Sequence, residues 1–166
     1  MATIGYTEEP GYLYISLKAP GGAIPGPSLA QKTGPLGISP KGAGEDFKKA
    51  TMEYASLKIN CRLAIKDRKA TVEVTPGTAT LLIKRLNEPV RDRKKEKNIL
   101  HNGNLTMQDI VEVAKLTKFK SHSKSFLGTV LQVIGTCGSF GCSIEGKTPK
   151  EITAAIKSGE IVVSEN

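Results

Sequence analysis

The sequence predicts an α+β protein in which a small N-terminal α/β layer, an antiparallel sheet with one helix, precedes a small helical-bundle domain. Three segments before residue 75 carry apolar side chains at every second position, which is typical of strands with one buried face. After residue 77 the apolar side chains recur every third or fourth position, as in amphipathic helices. We therefore place the domains at residues 1–74 and 78–166, joined by a hinge at residues 75–77, where a proline and a glycine interrupt both patterns.

The first domain is predicted to contain three strands. Residues 12–18 form the first strand. Residues 57–65 and 70–74, separated by a short polar turn, predict a hairpin with one buried face. Arg62 and Ala64 alternate with the apolar positions and lie on the opposite face. The predicted inner face is formed by Leu13, Ile15, Leu17, Leu57, Ile59, Cys61, Leu63 and Ile65.

One helix is predicted between the first strand and the hairpin. Ser39 can cap its start, and Pro40 suits the first helical position. Residues 19–40, which precede it, are rich in proline and glycine and are predicted to be irregular. Such a loop is either a preformed docking surface for protein or RNA or a plain connector. One face of the helix is predicted to carry Phe47, Ala50, Thr51 and Tyr54.

Four helices are predicted in the second domain. The first covers residues 78–86, and the second follows a capping-box pattern at residues 106–109. The third and longest covers residues 123–139. The last begins at Thr148, with proline at the first position and glutamate at the third, and ends at Gly159. The inward residues of the long helix are predicted to be Phe126, Val130, Val133, Ile134 and Cys137.

The composition favours a polyanionic partner and excludes several other functions. The net charge of +8 suits RNA or DNA, because lysine and arginine near phosphates release condensed counterions. Aromatic residues make up 5% of the chain and tryptophan is absent, which argues against base stacking and favours recognition of RNA shape and backbone. No apolar run approaches the roughly 18 residues of a membrane span. The N-terminus is acidic and resembles no targeting signal, so the cytosol is the expected location.

Catalytic and metal-binding patterns are absent from the sequence. The three cysteines form no C-x-x-C pair, and the two histidines lie far from them in sequence, so we predict neither a metal nor a cofactor. No phosphate-binding loop or nucleophile elbow is present, and we predict that the protein is not an enzyme. Cys137 falls on an apolar helix face and is predicted to be a core residue.

Two segments could carry a binding function. Residues 84–97 hold seven basic and three acidic side chains, which indicates either a basic arm that orders against phosphates or a solvated loop. Residues 135–141 (GTCGSFG) place two glycines inside the end of the long helix, and each costs about 1 kcal/mol relative to alanine. Small residues with hydroxyls suit a close approach to the wide minor groove of RNA. They equally suit close helix–helix packing with a glycine stop at Gly141.

Several motifs, in the same order along nearly the whole chain, resemble the eukaryotic and archaeal branch of the L-eleven family of ribosomal proteins. The first is KTGPLGISPK at residues 32–41, followed by GED at residues 44–46. The second is EPVRDRKK at residues 88–95, and the third is HNGN at residues 101–104. The glycines and hydroxyls of the long helix's end complete the series.

The resemblance implies a two-domain structural protein at the base of the ribosomal stalk. The C-terminal domain of the family grips a compactly folded segment of large-subunit RNA, the GTPase-associated centre. The N-terminal domain faces translation GTPases, the elongation factors, beside the stalk scaffold protein. A monomer within a cytoplasmic ribosome, with transient nucleolar assembly, is also implied.

Carried onto this sequence, the resemblance assigns residues to each role. The RNA-binding residues are Arg91, Arg93, Lys94, Lys95, Lys97, Asn102, Gly135, Thr136 and Ser139. The factor-facing loop is assigned to Pro25, Pro27 and Pro35. One alternative is a non-ribosomal basic adaptor that binds an acidic protein partner through the same basic run. Another is a thiol enzyme that uses Cys137 or Cys142.

Overall fold

In the computed structural model the described residues are 8–88 and 101–163. The chain divides into two compact units, residues 1–80 and residues 81–166. Across the described ranges, every helix is too short or too polar to cross a membrane. The mixed α+β class predicted from the two apolar periodicities is confirmed.

The first unit is built on a three-stranded antiparallel sheet. Its strands are β1 (Leu13–Pro20), β2 (Lys58–Lys66) and β3 (Lys69–Val74), and β2 lies in the centre. Cys61 of β2 pairs with Leu17 on one side and with Val74 on the other, and all three side chains are buried. The predicted inner face is therefore correct in the middle of the sheet, whereas Leu13, at the start of β1, is 49% exposed.

The prediction of a single buried face is wrong for the central strand. Arg62 and Ala64 lie opposite the core face, yet they are only 4% and 5% exposed. The Arg62 guanidinium carbon lies 3.6 Å from the centroid of the Tyr14 ring, and Arg62 also pairs with Glu8 at 3.0 Å. A residue of the central strand can thus be covered by long side chains from a neighbouring strand and from the segment that precedes it.

The prediction that residues 19–40 are irregular is also wrong. They contain helix α1 (Pro27–Thr33), followed by a single 3₁₀ turn. Proline occupies the first position of α1, where its missing N–H costs nothing. Leu29 and Thr33 are almost fully buried, so α1 packs against the core although its flanks are rich in glycine and proline.

Helix α2 (Pro40–Ala50) lies where the sequence predicts it, with Phe47 fully buried. Two details of the prediction are wrong. Ser39 occupies the N-cap position, but its side chain makes no capping hydrogen bond. Ala50 is exposed because α2 ends there, whereas Thr51 is buried and its hydroxyl donates to the Phe47 carbonyl at 2.7 Å.

The second unit is a small helical bundle. Its helices are α3 (Thr78–Arg85), which begins at the end of the first unit, α4 (Met107–Thr117), α5 (Phe126–Phe140) and α6 (Pro149–Ser158). Two short parallel strands, β4 (Asn104–Leu105) and β5 (Ser143–Ile144), join the loops that precede α4 and α6. The core is formed by apolar side chains from all of these elements.

The helix starts of this unit confirm the capping predictions, with one shift. The side chains of Thr106 and Thr148 each accept a hydrogen bond from the third residue of their helix, and both capping boxes are complete. Gly159 ends α6 with φ of 85°. Helix α5 begins three residues later than predicted, because Ser125 is its cap and accepts from the Gly128 N–H at 3.3 Å.

Candidate functional site

The C-terminal end of α5 has one buried face and one exposed face. Ile134 and Cys137 are fully buried in the core of the second unit. Gly135 and Ser139 are exposed on the other side, and Thr136 is half-buried at the edge between the two faces. The structure thus brings the three predicted residues together on one accessible end of a helix.

The glycines of this helix end are not required by packing against the part of the chain that the structure describes. A Cβ atom added at Gly135 would meet no heavy atom of residues 8–88 or 101–163 within 4 Å. One added at Gly138 would meet the Pro149 Cβ at 3.8 Å, an ordinary contact. The helix-packing interpretation therefore does not account for these two glycines, although its predicted glycine stop is confirmed at Gly141, which has φ of 84°. A helix-interior glycine that no neighbour requires points to contact with an external surface.

The hydroxyl groups at this end of α5 donate their hydrogens to backbone carbonyls of the helix. Thr136 Oγ1 donates to the Gln132 carbonyl at 3.0 Å, and Ser139 Oγ donates to the Thr136 carbonyl at 2.6 Å. Because each donated hydrogen is used, the oxygens remain as acceptors on an exposed surface. Such acceptors suit external donors, of which the 2′-hydroxyl of RNA is one.

Asn102 is held close to the same helix end. The His101 N–H donates to the Phe140 carbonyl at 3.0 Å, and the two rings meet edge to face with centroids 5.4 Å apart. The next residue, Asn102, is exposed. The structure therefore places Asn102 next to the end of α5, although the two are separated by more than thirty positions in sequence.

A mostly buried carboxylate next to the neighbours of Asn102 was not found by sequence reasoning. Glu88 Oε2 lies 2.6 Å from His101 Nδ1, and Oε1 accepts from the Gly103 N–H at 3.0 Å. The side chains of Glu88 and His101 are 13% and 9% exposed. The only signal in the sequence was that an acid and a histidine flank the basic run, and helical or strand periodicity does not pair such residues.

The predicted basic residues Arg91, Arg93, Lys94, Lys95 and Lys97 lie outside the described residues. Their role stays a prediction. The described flanks of that segment, Glu88 and His101, are in direct contact, and His101 is bonded to the end of α5.

The sequence of α5 and its immediate flanks carries charged side chains of one sign. Residues 113–144 contain no aspartate or glutamate, while they contain the lysines Lys115, Lys118, Lys120 and Lys124. The whole of α5 lies in this stretch. An approaching polyanion therefore meets no carboxylate on α5 itself.

The three cysteines offer no reactive thiol. Cys61, Cys137 and Cys142 are free and buried. Burial raises the pKa of Cys61 to about 12, and it raises the pKa of Cys137 and of Cys142 as well. Since the thiolate is the nucleophilic form, all three sites disfavour thiol chemistry. Within residues 8–88 and 101–163, no group of three or more histidine, cysteine or acidic side chains could hold a metal ion.

The proline-rich segment lies in the first unit. Pro25 is buried, whereas Pro27 and Pro35 are exposed. Ile24 packs so close to Gly44 that a Cβ there would lie 2.8 Å from the Ile24 side chain. The segment is thus anchored to α2, and the roles assigned to its three prolines stay predictions.

Comparison with known proteins gives matches to both halves of the chain. Residues 74–144 match the family model described as ribosomal protein L11, RNA binding domain, and residues 15–70 match the model of the ribosomal protein L11 N-terminal domain. The large ribosomal subunit protein uL11 of Encephalitozoon cuniculi is 58% identical over 154 residues, 92% of this chain and 93% of that protein. The protein of the same name from Neurospora crassa is 50% identical over 152 residues, 91% of this chain and 92% of that protein. The one from Dictyostelium discoideum is 50% identical over 138 residues, 83% of each chain.

Proposed function

This chain belongs to the ribosomal protein L11 family, and on that premise we propose how its two units act in the large ribosomal subunit. It is a structural, non-enzymatic protein of the large subunit, and it binds ribosomal RNA. The proposal concerns the residues that bind, the RNA that is bound and the further partners.

The proposed RNA-binding surface is the exposed end of α5 together with Asn102. The observation that supports it best is Gly135, which is exposed inside a helix, with no described residue in the space that a side chain would occupy. A surface without side chains lets the helix backbone enter a shallow minor groove, where the oxygens of Thr136 and Ser139 can accept hydrogen bonds from 2′-hydroxyls. The few aromatic residues of the chain favour this recognition of shape over base stacking.

The basic run at residues 91–97 is proposed to add phosphate contacts. Its first basic residue, Arg91, lies three positions after Glu88, and Glu88 contacts the segment that carries Asn102. Each cation placed near a phosphate strengthens binding by releasing counterions. We assign the RNA to the GTPase-associated centre, at the base of the ribosomal stalk.

The first unit is proposed to face the stalk scaffold protein and translation GTPases. The exposure of Pro27 and Pro35 supports this role, because a proline ring fixes its own backbone angle and so presents a surface at a low entropic cost. A change of angle at residues 75–77 would accompany factor arrival. Assembly of the monomeric protein into cytoplasmic ribosomes, with a nucleolar stage, belongs to the same proposal.

The test replaces Thr136 with a larger apolar residue. Thr136→Leu should weaken binding of the full chain to the folded GTPase-associated RNA by about tenfold or more, because the added atoms hold the groove away from the helix. Thr153→Leu is a matched control. Thr153 is also half-buried in a helix, and its hydroxyl also donates to the carbonyl four residues earlier, at 2.8 Å.

Circular dichroism melting of both variants establishes that each is folded at the binding temperature. Equal affinity of the wild-type chain and Thr136→Leu for the folded RNA would contradict the assignment of the α5 end.

A further inference from the structure

We propose that Glu88 is a positioning residue for RNA binding, which holds Asn102 in its binding orientation from behind. This inference rests on the proposed function, because it assumes that Asn102 contacts RNA. Glu88 is negatively charged and mostly buried, so charge and exposure alone would not identify it as a residue that contributes to RNA binding.

The carboxylate of Glu88 brackets Asn102. One oxygen lies 2.6 Å from His101 Nδ1, and the other accepts from the Gly103 N–H at 3.0 Å. These two partners immediately precede and follow Asn102. A single side chain thus holds both neighbours of the exposed residue, the imidazole ring of His101 on one side and the backbone of Gly103 on the other.

Glycine at position 103 is what allows this close approach. A Cβ there would lie 2.4 Å from Leu86 Cδ2 and 3.1 Å from Glu88 Oε1. Since the nearest carbon is a side-chain end and the next atom is the bracketing carboxylate, a larger residue would displace the contacts that hold the segment. The glycine at position 103 is therefore consistent with the contacts that Glu88 makes to both neighbours of Asn102.

The opposite side of the segment is fixed to the end of α5. The His101 N–H donates to the Phe140 carbonyl at 3.0 Å, and the Gly103 carbonyl accepts from the Ser143 N–H at 3.2 Å. Between these attachments Asn102 is exposed, and in the described part of the chain its side chain makes no hydrogen bond. Its amide is therefore available to a ligand while its backbone is already ordered.

The direction in which RNA affinity changes when Glu88 is removed distinguishes a positioning role from an effect of its charge alone. A carboxylate near a polyanion opposes binding, so removing it would strengthen binding if its charge were its only influence. A positioning carboxylate gives the opposite result. Without the Glu88 carboxylate, the Asn102 segment would become ordered only on binding RNA. Each side chain ordered on binding lowers the affinity by a factor of about three to ten.

The experiment measures the affinity of the full chain for the folded GTPase-associated RNA at one salt concentration. Glu88→Ala should bind about three- to tenfold more weakly than wild type. Glu88→Gln should bind within about twofold, because its amide oxygen can accept from Gly103 and its amide nitrogen can donate to an unprotonated His101 Nδ1. Glu112→Ala is the control: it removes the same charge from the same unit, where Glu112 pairs with Arg85, and its affinity should equal or exceed that of wild type.

Asn102→Ala tests whether Glu88 acts through Asn102. Asn102→Ala alone should weaken binding, and adding Glu88→Ala to it should change affinity by less than about twofold, because the positioned side chain is already gone. If Glu88→Ala fails to fold, Glu88→Asp replaces it. Aspartate keeps the charge and is too short to reach both partners, so it too should weaken binding.

Three results would overturn the proposal. The first is unchanged or stronger binding by Glu88→Ala, as in the control. The second is an equal loss in the wild-type and Asn102→Ala backgrounds, which would assign Glu88 a general structural role. The third is no effect of Asn102→Ala. In that last case the RNA affinity of Thr136→Leu distinguishes the two proposals. If Thr136→Leu binds RNA more weakly than wild type, the α5 surface is supported and only the role of Glu88 is wrong.

Discussion

Replacing Gly135 with alanine should stabilise the protein while weakening its RNA binding. Gly135 lies inside α5, and a Cβ atom at that position would meet none of the residues that the structure describes within 4 Å. The substitution therefore gains the full helix-propensity difference between alanine and glycine, about 1 kcal/mol, without any steric cost. For a unit of this size, that gain raises the melting temperature by about 4–8 °C.

The RNA affinity should change in the opposite direction. If the bare backbone at Gly135 enters a groove, the methyl group occupies space that the RNA fills. Forcing an extra methyl group into a packed contact costs about 1–3 kcal/mol. Since 1.4 kcal/mol corresponds to a factor of ten, Gly135→Ala should weaken binding by about fivefold to a hundredfold.

The assay pairs thermal melting by circular dichroism with RNA affinity measured on the same preparations. Gly138→Ala is the matched control, because its Cβ would make an ordinary 3.8 Å contact with Pro149 and its propensity gain is the same. It should melt higher and lose less affinity than Gly135→Ala. Gly128 is unsuitable as a control, since a Cβ there would lie 2.0 Å from Ser123 Oγ. A Gly135→Ala protein that melts higher and binds RNA as tightly as wild type would refute the reasoning.

Three further predictions concern other parts of the chain. Neutralising Lys94, Lys95 and Lys97 should flatten the dependence of RNA affinity on salt by roughly the number of phosphates that these lysines neutralise, and an unchanged slope would mean that the run is merely solvated. Pro35→Ala should spare RNA affinity but slow factor-dependent GTP turnover on ribosomes, whereas a fall in RNA affinity would make the loop an RNA anchor. Hydrogen bonds from the backbone N–H and hydroxyl of its N-cap threonine lower the pKa of Glu151. The charged Glu151 therefore stabilises α6 fully above the ordinary glutamate pKa of about 4.3, and this stabilisation is lost as the pH falls through the lowered pKa. Melting of Glu151→Gln beside wild type should show a gap in melting temperature that closes at acid pH, and a constant gap would contradict the role of this charge.

Local patterns predicted most helices and strands because they report directly on which face is buried. Alternation located β2, and the sequence TPKE located the start of α6 together with its complete capping box. The same patterns failed where burial depends on distant partners. The alternation of β2 predicts that Arg62 is exposed. Its burial under the Tyr14 ring depends on strand pairing that the sequence of a single strand does not encode.

The short helix α1 was missed for a different reason. Proline and glycine dominate residues 19–40, and only Leu29 and Thr33 within α1 are buried. Seven residues give too few turns for a periodic signal. Its stability comes from packing against the core, which composition does not reveal.

The candidate site was predictable in part. The GTCGSFG motif carried its own signal, since two glycines inside a helix need a reason, and the structure shows that internal packing is not that reason. The contact between Glu88 and His101 joins residues thirteen positions apart through side chains, and no periodic rule anticipates it. The basic run was visible from charge alone, and its residues 91–97 lie outside the described part of the chain.

The central claim is that this protein recognises the folded shape of its RNA through a surface with few side chains. The most direct test compares binding of the full wild-type chain to the folded GTPase-associated RNA and to a scrambled RNA of equal length, over a range of salt concentrations. We predict a preference of at least about tenfold that widens as salt rises, because non-specific phosphate contacts weaken faster than shape-specific ones. Equal affinity for the two RNAs across that range would contradict the claim.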